Sequence, residues 1–484
     1  MASIEEIKKA RLLKLNLLKS KGKECYPAYV PRDFSIKSVK DNFSSLENSS
    51  KQISIAGRVM IIRGQGAILF AVLYDGTEKM QVIIKKDEVR EDIFSLFTET
   101  VDMGDFISVT GSCMKSKTGE ESLLLTDFQM ASKSLLPLPE KWHGLQDTDE
   151  RYRKRYLDFL ENQEIKELIV KKSNFWQYIR EFLLTNGFTE VETPTLEVTT
   201  GGAEATPFAT HHNDYDLDVF LRISVGELWQ KRLLAGGFDK TFEIGRVYRN
   251  EGSSPEHLQE FTNMEFYWSF ANYNMGMEFT EKMIKEVVFK TFGKLDFSSK
   301  GFYFSLEGSW PKISYVEIVK EKTGIDILNT TKEQMEEKLK ELSVKYDGDN
   351  MERLTDTLWK YCRKQIVGPV WLVDHPKLVS PLSKAKKDDP RLTERVQLIL
   401  AGSEVTNGYS ELNDPLDQKN RFENQKELLD SGDSEAMMSD DEFVEMLEHG
   451  MPPAFGFGMG ERLFAILSDK PIRELQTFPL MRPK

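Results

Sequence analysis

The hydrophobic pattern of this chain changes its period near residue 160, and this change constrains the fold more than any other feature. Between residues 52 and 133, short apolar or alternating runs are separated by turn signals such as Asp75-Gly76 and Thr118-Gly119. Runs of this kind predict strands, and their close spacing predicts a small all-β unit. The runs are Ile53–Met60, Ala67–Leu73, Met80–Ile84, Phe106–Gly111 and Ser122–Phe128. About five strands suit an OB-like barrel, and the period alone leaves other small barrels open.

From Glu164 onward the period becomes helical. Apolar residues recur at three- and four-residue steps from Ile165 to Leu183, and Asn186-Gly187 is a typical helix stop. Strand-like runs then alternate with helices, which predicts an α+β domain with an antiparallel sheet. We expect a helical insertion in this domain at about 310–370. The predicted organisation is a basic helix (1–24), a barrel domain (25–135), a linker (136–163) and the α+β domain (164–484).

Composition places the chain among soluble globular proteins. Its 484 residues, 40% hydrophobic and 30% charged, are too many for one ordinary core. The net charge of -13 argues against a protein that coats nucleic acid, but it leaves room for a local basic footprint on the helix at 1–24. Cys25, Cys113 and Cys362 lie too far apart for a zinc cluster, and a disulfide framework is not expected. No run reaches the roughly 18 to 20 apolar residues of a membrane span, so we expect a cytoplasmic protein.

A predicted hairpin between residues 242 and 268 carries the most informative pattern. Phe261, Asn263, Glu265 and Tyr267 share one face of its returning strand, because alternate side chains of a strand point the same way. This face would be a poor core surface but a suitable pocket floor. Arg249, at the end of the first strand, carries a guanidinium that suits a phosphate. A surface hairpin with ordinary cross-strand salt bridges is the alternative interpretation.

Two further segments suit a polyanionic or charged ligand. The run from Gly456 to Arg462 is a glycine-rich strand end that feeds an apolar helix, so a ligand can approach its backbone closely. It matches neither the P-loop nor the Rossmann fingerprint. Glu404 and Glu411 lie seven residues apart, and their oxygens suit Mg²⁺ or a substrate amine. Tight packing and a turn with solvated acids are the respective alternatives.

Taken together, these segments resemble the class II aminoacyl-tRNA synthetases, and among them the lysine–tRNA ligases. Glu190–Pro194 resembles motif 1 of that class, Arg249–Thr262 motif 2 and Gly456–Arg462 motif 3. Thr210–Asn213 and Gly408–Asp414 resemble markers of the lysine branch. The resemblance covers nearly the whole chain. It implies an N-terminal OB-fold anticodon-binding domain, a class II catalytic domain on an antiparallel sheet, and ATP-dependent attachment of L-lysine to tRNA(Lys).

The resemblance also implies roles around ATP. Arg249, Glu251 and Arg462 take the catalytic positions, with Arg249 on the α-phosphate and Phe261 under the adenine. Mg²⁺ is the expected cofactor, on Glu404 and Gln397, although Gln397 stands where the family carries a glutamate. Leu258 likewise replaces an asparagine, motif 3 is one residue short, and the segment before Glu227 is one residue long. The implied ATP-binding positions are Arg249, Asn250, Glu251, His257, Leu258, Phe261, Glu404, Gly460, Glu461 and Arg462.

Two further sets of positions follow from the resemblance. Acidic side chains would neutralise the ammonium of lysine, whose burial without an anionic partner costs roughly several kcal/mol. Aromatic stacking would read the unpaired anticodon bases. The implied lysine-binding positions are Gly202, Glu227, Glu265, Tyr267, Asn407 and Glu411, and the anticodon-binding positions are Arg63, Phe70, Gln81 and Asp127.

The resemblance also implies a homodimer built on the motif 1 helix and strand. From the residues alone, an apolar helix face at 165–183 is the only candidate interface. Three alternative functions stay open. The aspartate/asparagine branch shares the barrel and the motifs, but its pocket should carry a positive charge or a polar amide reader. Enzymes that modify a protein lysine usually lack the barrel, and a non-catalytic paralogue is disfavoured by the presence of Arg249 and Arg462.

Overall fold

The computed structural model describes residues 3–64, 66–139, 147–252, 254–346, 350–433 and 436–484. Parts of the predicted barrel domain, linker, insertion and catalytic domain therefore lie outside the described residues. Contacts within the chain divide it into two compact units, Met1–Arg151 and Tyr152–Lys484. The domain boundaries that the sequence predicts, including the insertion, stay predictions. Within the described ranges, every helix is too short or too polar to cross a lipid bilayer.

Five strands of the first unit form a closed barrel. They are β1 (Gln52–Arg63), β2 (Ile68–Tyr74), β3 (Lys79–Lys85), β4 (Phe106–Lys115) and β5 (Glu121–Ser132). Their order around the barrel is β1-β2-β3-β5-β4, and only the β3/β5 pair is parallel among the described strands. Alternate side chains such as Ile53, Ile55 and Val59 are buried inside it. The predicted OB-like barrel is confirmed.

Helices surround this barrel, and the basic N-terminal segment is one of them. They are α1 (Ile4–Ser20), α2 (Ile36–Asp41), α3 (Phe43–Ser49) and α4 (Glu91–Thr100). Arg11 of α1 is buried and donates to the backbone oxygens of Met103, Ser134 and Leu136 at 2.9 to 3.2 Å. Lys14 pairs with Asp102 at 2.6 Å. These two cations therefore anchor α1, whereas Lys8, Lys9, Lys19, Lys21 and Lys23 stay exposed.

The second unit is built on one large, mainly antiparallel sheet. Its strands are β6 (Thr189–Glu190), β10 (Lys240–Tyr248), β11 (Glu260–Ser269), β14 (Lys312–Ser314), β15 (Val370–Val373), β18 (Arg395–Leu400), β19 (Ser403–Glu404), β20 (Thr406–Ser410) and β21 (Ala454–Gly460). They follow the order β14-β15-β18-β20-β21-β11-β10-β6, with β19 beside β18. Only β14/β15 and β10/β6 are parallel among these pairs. The predicted α+β class with an antiparallel sheet is confirmed.

Smaller sheets and helices complete the described part of the second unit. The remaining strands are β7 (Leu196–Glu197), β8 (Ala209–His212), β9 (Leu217–Leu221), β12 (Asp296–Ser299), β13 (Phe302–Ser305), β16 (His375–Pro376) and β17 (Leu392–Thr393). The helices are α5 (Thr148–Arg153), which begins before the boundary, α6 (Arg155–Glu161), α7 (Gln163–Thr185), α8 (Glu227–Ala235), α9 (Tyr273–Phe292), α10 (Tyr315–Thr323), α11 (Lys332–Glu341), α12 (Met351–Arg363), α13 (Pro415–Asp430), α14 (Asp441–His449) and α15 (Arg462–Leu467). Short 3₁₀ turns lie at Ile327–Asn329, Lys377–Val379 and Ile472–Leu475.

The long helices α7 and α9 pack against the main sheet. Phe175 and Ile179 of α7, Met283 and Val287 of α9, and Phe266 of β11 belong to one buried cluster. The helix predicted from residue 164 to the Asn-Gly stop is therefore present as α7. Its apolar face is buried inside its own unit, so it is not available as the subunit interface that the sequence suggested.

Candidate active site

The main sheet separates the hydrophobic core from a cavity of about 390 Å³. Met264 and Phe266 of β11 belong to the core, and the alternating residues Asn263, Glu265 and Tyr267 line the cavity. This alternation is the parity that the sequence predicted for the returning strand. The predicted site residues that line the cavity are Gly202, Glu227, Arg249, Glu251, His257, Leu258, Phe261, Glu265, Tyr267, Gln397, Glu404, Asn407, Glu411, Gly460, Glu461 and Arg462.

The hairpin of β10 and β11 places a cation beside an aromatic ring. The strands pair in continuous register from Lys240–Trp268 to Tyr248–Glu260, and the backbone N–H of Arg249 donates to Gln259 at 2.8 Å. The Arg249 guanidinium lies 5.4 Å from the centre of the Phe261 ring and donates to the backbone oxygen of Ile223 at 3.3 Å. A flat ring next to a fixed guanidinium suits a purine that carries a phosphate.

The next residue, Asn250, behaves differently from its predicted neighbours. Its side chain is exposed and does not line the described cavity, and its backbone N–H donates to Thr206 at 2.8 Å. Its predicted contact with ATP stays a prediction that this arrangement does not favour.

Arg462 provides a second guanidinium, at the start of α15. It donates to the backbone oxygen of Glu404 at 2.8 Å and to Nε2 of His257 at 2.9 Å. Nδ1 of His257 therefore carries the ring proton and faces Oγ of Ser254 at 2.7 Å. Burial and the charge of Arg462 lower the pKa of His257 to about 4. At neutral pH this imidazole is an uncharged acceptor that orients Arg462.

Glu461 is fully buried, and its carboxylate binds the protein itself. It accepts from the backbone N–H of Thr262 at 2.7 Å, from Nζ of Lys172 at 2.7 Å and from Nε2 of Gln476 at 2.5 Å. These contacts tie the glycine-rich strand to β11 and to α7. The geometry gives Glu461 a supporting position behind Arg462, and its predicted contact with ATP stays a prediction.

The predicted metal position contains one anionic side chain. Glu404 accepts from the Trp359 indole at 2.5 Å and from the Gln397 amide at 3.5 Å. Burial favours a raised pKa for Glu404, but Arg363 and the Trp359 hydrogen bond outweigh it and lower the pKa, so this carboxylate is ionised. The amide oxygen of Gln397 accepts from Nε2 of His375 at 3.0 Å. In the described ranges, no three His, Cys, Asp or Glu side chains form a metal cluster.

This donor set offers a divalent cation one carboxylate, Glu404, and the amide oxygen of Gln397. Mg²⁺ is typically held by one or two carboxylates together with the phosphates of the substrate. The hydrogen bond from His375 occupies one of the two lone pairs on the Gln397 oxygen, so Gln397 stays a predicted ligand. The replacement of the expected glutamate is thus accompanied by a buried imidazole that the sequence analysis missed.

Three buried carboxylates, Glu227, Glu265 and Glu411, line another part of the cavity, and protein hydrogen bonds fix Glu265. It accepts from the Val225 backbone at 2.8 Å, from the Asn263 amide at 2.9 Å and from the Tyr267 hydroxyl at 3.0 Å. Burial, and next the charge of Glu227, raise the pKa of Glu265 to about 7. A bound cation would remove the cost of keeping this carboxylate ionised.

Glu227 and Glu411 share the ammonium of Lys231. Nζ of Lys231 lies 2.7 Å from Oε1 of Glu227 and 2.6 Å from Oε2 of Glu411. The Tyr409 hydroxyl also donates to Glu227. Burial is the main cause that raises the pKa of Glu411 to about 8. Because Lys231 pairs with Glu227 and Glu411 and leaves Glu265 without a cation of its own in this part of the cavity, the site is suited to a further positive charge.

Gly202 and Asn407 shape the edge of this acidic pocket. Gly202 has a φ of +85°, and a Cβ there would lie 2.5 Å from Oγ of Ser224 and 2.6 Å from Cβ of Glu227. Glycine is therefore required at this position. The amide oxygen of Asn407 accepts from Nε of Arg395 at 2.9 Å, which fixes the side chain.

Sequence reasoning missed Lys231, Tyr409, Trp359 and His375. Lys231 had a usable signal, because it follows Glu227 by four residues and an i,i+4 pair shares one helix face. Trp359 and His375 come from segments far from the motifs, so no local pattern identifies them. Glu404 and Glu411, paired in the sequence analysis by spacing, are assigned by the structure to different parts of the cavity: Glu404 beside Arg462 and Glu411 beside Lys231.

In the barrel, three of the four predicted anticodon positions are adjacent. Arg63 pairs with Phe70 across β1 and β2, and Arg63 donates to the side-chain oxygen of Gln81 at 3.2 Å. Gln81 in turn donates to Ser122 at 3.0 Å. The exposed Asp127 pairs with Thr110 across β4 and β5, outside this set of contacts. A half-buried ring beside an arginine is a surface suited to unpaired bases.

Comparisons with known proteins agree with both units. The family described as tRNA synthetases class II (D, K and N) matches residues 147–482, and the OB-fold nucleic acid binding domain matches residues 53–133. The chain is 43% identical to the lysine–tRNA ligase of Thermotoga maritima, over 99% of the chain and 97% of that protein. It is 42% identical to the lysine–tRNA ligase of Carboxydothermus hydrogenoformans, over 99% of each. Similarity over both full lengths, with the fold and the cavity described above, means that the chain belongs to the class II aminoacyl-tRNA synthetases, in the family of lysine–tRNA ligases.

Proposed function

We propose that this enzyme activates L-lysine with ATP to lysyl-adenylate and transfers the lysyl group to the 3′ end of tRNA(Lys), releasing AMP and diphosphate. One observation carries the proposal: two guanidiniums suited to phosphates and three buried carboxylates suited to an ammonium line the same cavity. Family membership and the names of the relatives support it.

In the first step, a lysine carboxylate oxygen bonds to the α-phosphorus of ATP, and diphosphate leaves. Negative charge grows on the phosphate oxygens, and Arg249 and Arg462 are the residues proposed to offset it. Phe261 would stack under the adenine beside Arg249. Protein hydrogen bonds hold both arginines, so the site would be organised before substrate arrives and would need no covalent enzyme intermediate.

In the second step, a ribose hydroxyl at the tRNA 3′ end attacks the lysyl carbonyl, and AMP leaves.

Mg²⁺ is the proposed cofactor of the first step, where it would supply charge stabilisation on the ATP phosphates. Glu404 would hold it from the protein side. The amide oxygen of Gln397, oriented by His375, would be the second protein ligand.

The acidic pocket also bears on the nearest alternative. An aspartate substrate would bring a carboxylate toward Glu227, Glu265 and Glu411, all at most 6% exposed, and two like charges would meet in a buried site. An asparagine substrate would leave these carboxylates without a cation. The pocket therefore favours lysine over both.

ATP–diphosphate exchange with each amino acid in turn tests the proposal. We expect exchange that depends on lysine and is lost in Arg249→Gln, with Arg391→Gln as the matched control, because Arg391 pairs with Asp389 on an exposed loop. Exchange that depends on aspartate or asparagine would instead assign the other branch. No exchange with any amino acid would indicate a non-catalytic paralogue.

We also propose that the enzyme is a cytoplasmic homodimer. Leu196 and Val198, just after motif 1, are 50% and 60% exposed, and apolar residues of this kind are typical of subunit interfaces. Light scattering after size-exclusion chromatography should give twice the chain mass of 55.8 kDa. A stable species of one chain mass over a wide concentration range would contradict the homodimer.

A further inference from the structure

Lys231 is the most unusual side chain near the cavity, because it is a lysine almost completely removed from solvent. It is 1% exposed, and its ammonium lies between carboxylates from α8 and from the end of β20. The rings of Tyr409, Phe443 and Tyr267 surround it, with centres 5.4, 5.8 and 6.0 Å from Nζ. Lysines are almost never buried to this degree without a specific partner.

Lys231 is unsuited to act as a nucleophile. Burial favours a lowered pKa, but Glu227 and Glu411 outweigh it, so the pKa is raised and the side chain is an ammonium without a free electron pair. A purely stabilising role also explains little, because buried ion pairs often contribute no more stability than apolar side chains of similar volume. The remaining role for Lys231 is to set the charge and the geometry of the acidic pocket.

The geometry of Glu411 shows what Lys231 does. Oε2 of Glu411 forms an ion pair with the ammonium of Lys231 at 2.6 Å, Oε1 does not, and neither oxygen accepts a hydrogen bond from the described residues. Glu411 is 1% exposed and lines the cavity. Lys231 therefore fixes one oxygen of this carboxylate and leaves the other unsatisfied, which is a state that a buried carboxylate holds only at a cost unless a ligand donates to it.

The charge balance leads to the same conclusion. Glu227, Glu265 and Glu411 are the acids of the pocket, Lys231 is its internal cation, and Arg249 acts on Glu265 from the motif 2 side. Lys231 opposes the rise that burial causes in the pKa of Glu411, so without Lys231 this carboxylate would take up a proton more readily. A protonated carboxyl is a poor acceptor for an ammonium.

We infer that Lys231 is a positioning residue for amino-acid recognition: it holds Glu227 and Glu411 in place, and through them presents a free carboxylate oxygen to the ammonium of the substrate. This inference rests on the proposed function, since it assumes an amino acid with a second ammonium. Lys231 itself does not touch the substrate. Because the charge of Lys231 offsets part of the negative charge of the pocket, it affects how much positive charge a ligand must bring.

Lys231→Met tests the inference, because methionine keeps most of the volume and removes the charge. Once lysine-dependent exchange has been established for the unchanged enzyme, we expect the KM for lysine to rise about thirtyfold, with the KM for ATP within twofold. The acid limb of kcat/KM for lysine should move to higher pH, since Glu411 loses the cation that lowers its pKa. A merely structural role would not move this limb.

Lys240→Met is the matched control. Lys240 is half-buried against Trp268 and Phe188 and bonds to the backbone oxygen of Asn186, outside the cavity. Its loss should leave both KM values and the pH profile unchanged. Equal rises in the KM for lysine and for ATP in Lys231→Met, or no rise in either, would overturn the inference.

If the methionine variant does not fold, Lys231→Arg tests the positioning role instead. It keeps the charge, but a guanidinium between Tyr409 and Phe443 displaces both carboxylates from their places. A rise in the KM for lysine without a rise in the KM for ATP supports the positioning role, and an unchanged KM for lysine overturns it. Absence of lysine-dependent exchange in the unchanged enzyme would instead refute the proposed function.

Discussion

Single side chains set the charge of this site, and Glu265 is the clearest example. It accepts three hydrogen bonds from the protein, so its position does not depend on a ligand, but its ionisation does. Loss of one partner of a buried charged pair costs about 3 to 5 kcal/mol. The identity of this residue should therefore affect lysine binding far more than ATP binding.

Glu265→Gln is the corresponding variant, since glutamine keeps the shape and one acceptor oxygen but removes the charge. We expect kcat/KM for lysine in ATP–diphosphate exchange to fall by roughly a hundredfold or more. The KM for ATP should stay within about threefold. Equal losses for both substrates would place Glu265 outside the amino-acid pocket.

Lysine binding should also release protons, because two single side chains of the pocket have raised pKa values. The pKa of Glu265 is raised to about 7 and that of Glu411 to about 8, chiefly by burial, so both carry protons part of the time at neutral pH. A lysine ammonium requires the ionised forms, and its affinity should rise with pH between about 6 and 8. Titration calorimetry in phosphate and in Tris should give different apparent enthalpies, and identical enthalpies would contradict the assignment.

The same raised values predict how the free protein responds to pH. A carboxyl whose pKa is higher in the folded state than in the unfolded state binds more protons when folded, so its contribution is full below the unfolded pKa near 4.5 and is lost as pH rises through 7 to 8. The unliganded enzyme should therefore lose thermal stability across this range. Glu265→Gln should lose less, and added lysine should offset part of the loss.

At the scale of elements, the glycines of strand β21 allow its backbone to pass close to the acidic pocket. A Cβ on Gly456 would lie 2.0 Å from Oε1 of Glu411 and 2.6 Å from the Tyr267 ring. A Cβ on Gly458 would lie 3.3 Å from Cγ of Glu265, a contact that a small shift relieves. The strand therefore passes so close to the acidic pocket that only glycine fits at its first cavity-facing position.

Gly456→Ala should damage the amino-acid pocket without breaking the sheet. Overpacking of this kind costs about 1 to 3 kcal/mol, and here it displaces Glu411. We expect the KM for lysine to rise about tenfold or more, with Gly458→Ala as the milder matched variant. Equal effects of the two substitutions on exchange kinetics would show that distance to Glu411 is not the cause.

At the scale of the whole molecule, the two predicted binding sites lie on different units. Arg63, Phe70 and Gln81 lie on the barrel, whereas the charged cavity belongs entirely to the second unit. Stacking of one base on an aromatic ring is worth about 1 to 3 kcal/mol. Amino-acid activation and tRNA recognition should therefore respond to different substitutions.

Phe70→Ala separates the two activities. We expect the KM for tRNA in aminoacylation to rise between about fivefold and a hundredfold, because a stacking surface is lost. Lysine-dependent ATP–diphosphate exchange without tRNA should not change. If exchange falls as much as aminoacylation, the barrel residue acts on folding and not on the anticodon.

The sequence alone determined those features of the fold and of the site that depend on local periodicity. Alternating runs predicted the five barrel strands, a helical period predicted α7, and the parity of Phe261, Asn263, Glu265 and Tyr267 predicted which side of β11 lines the cavity. Charge and spacing also indicated acids suited to a cation. These features need only neighbouring residues, since strand and helix geometry fix which side chains share a face.

Only the tertiary structure decided how the acids are used. In the structure, Glu404 lies beside Arg462, and Glu411 lies beside Lys231. Glu461 binds groups of the protein itself. The apolar face of α7, which the sequence predicted as an interface, is buried in the core of its own unit. Residues from distant segments, such as His375 beside Gln397 and Tyr409 beside Glu227, meet only after the sheet has formed. Ionisation and partner choice depend on these through-space contacts and on burial, and neither is encoded in the spacing of residues along the chain.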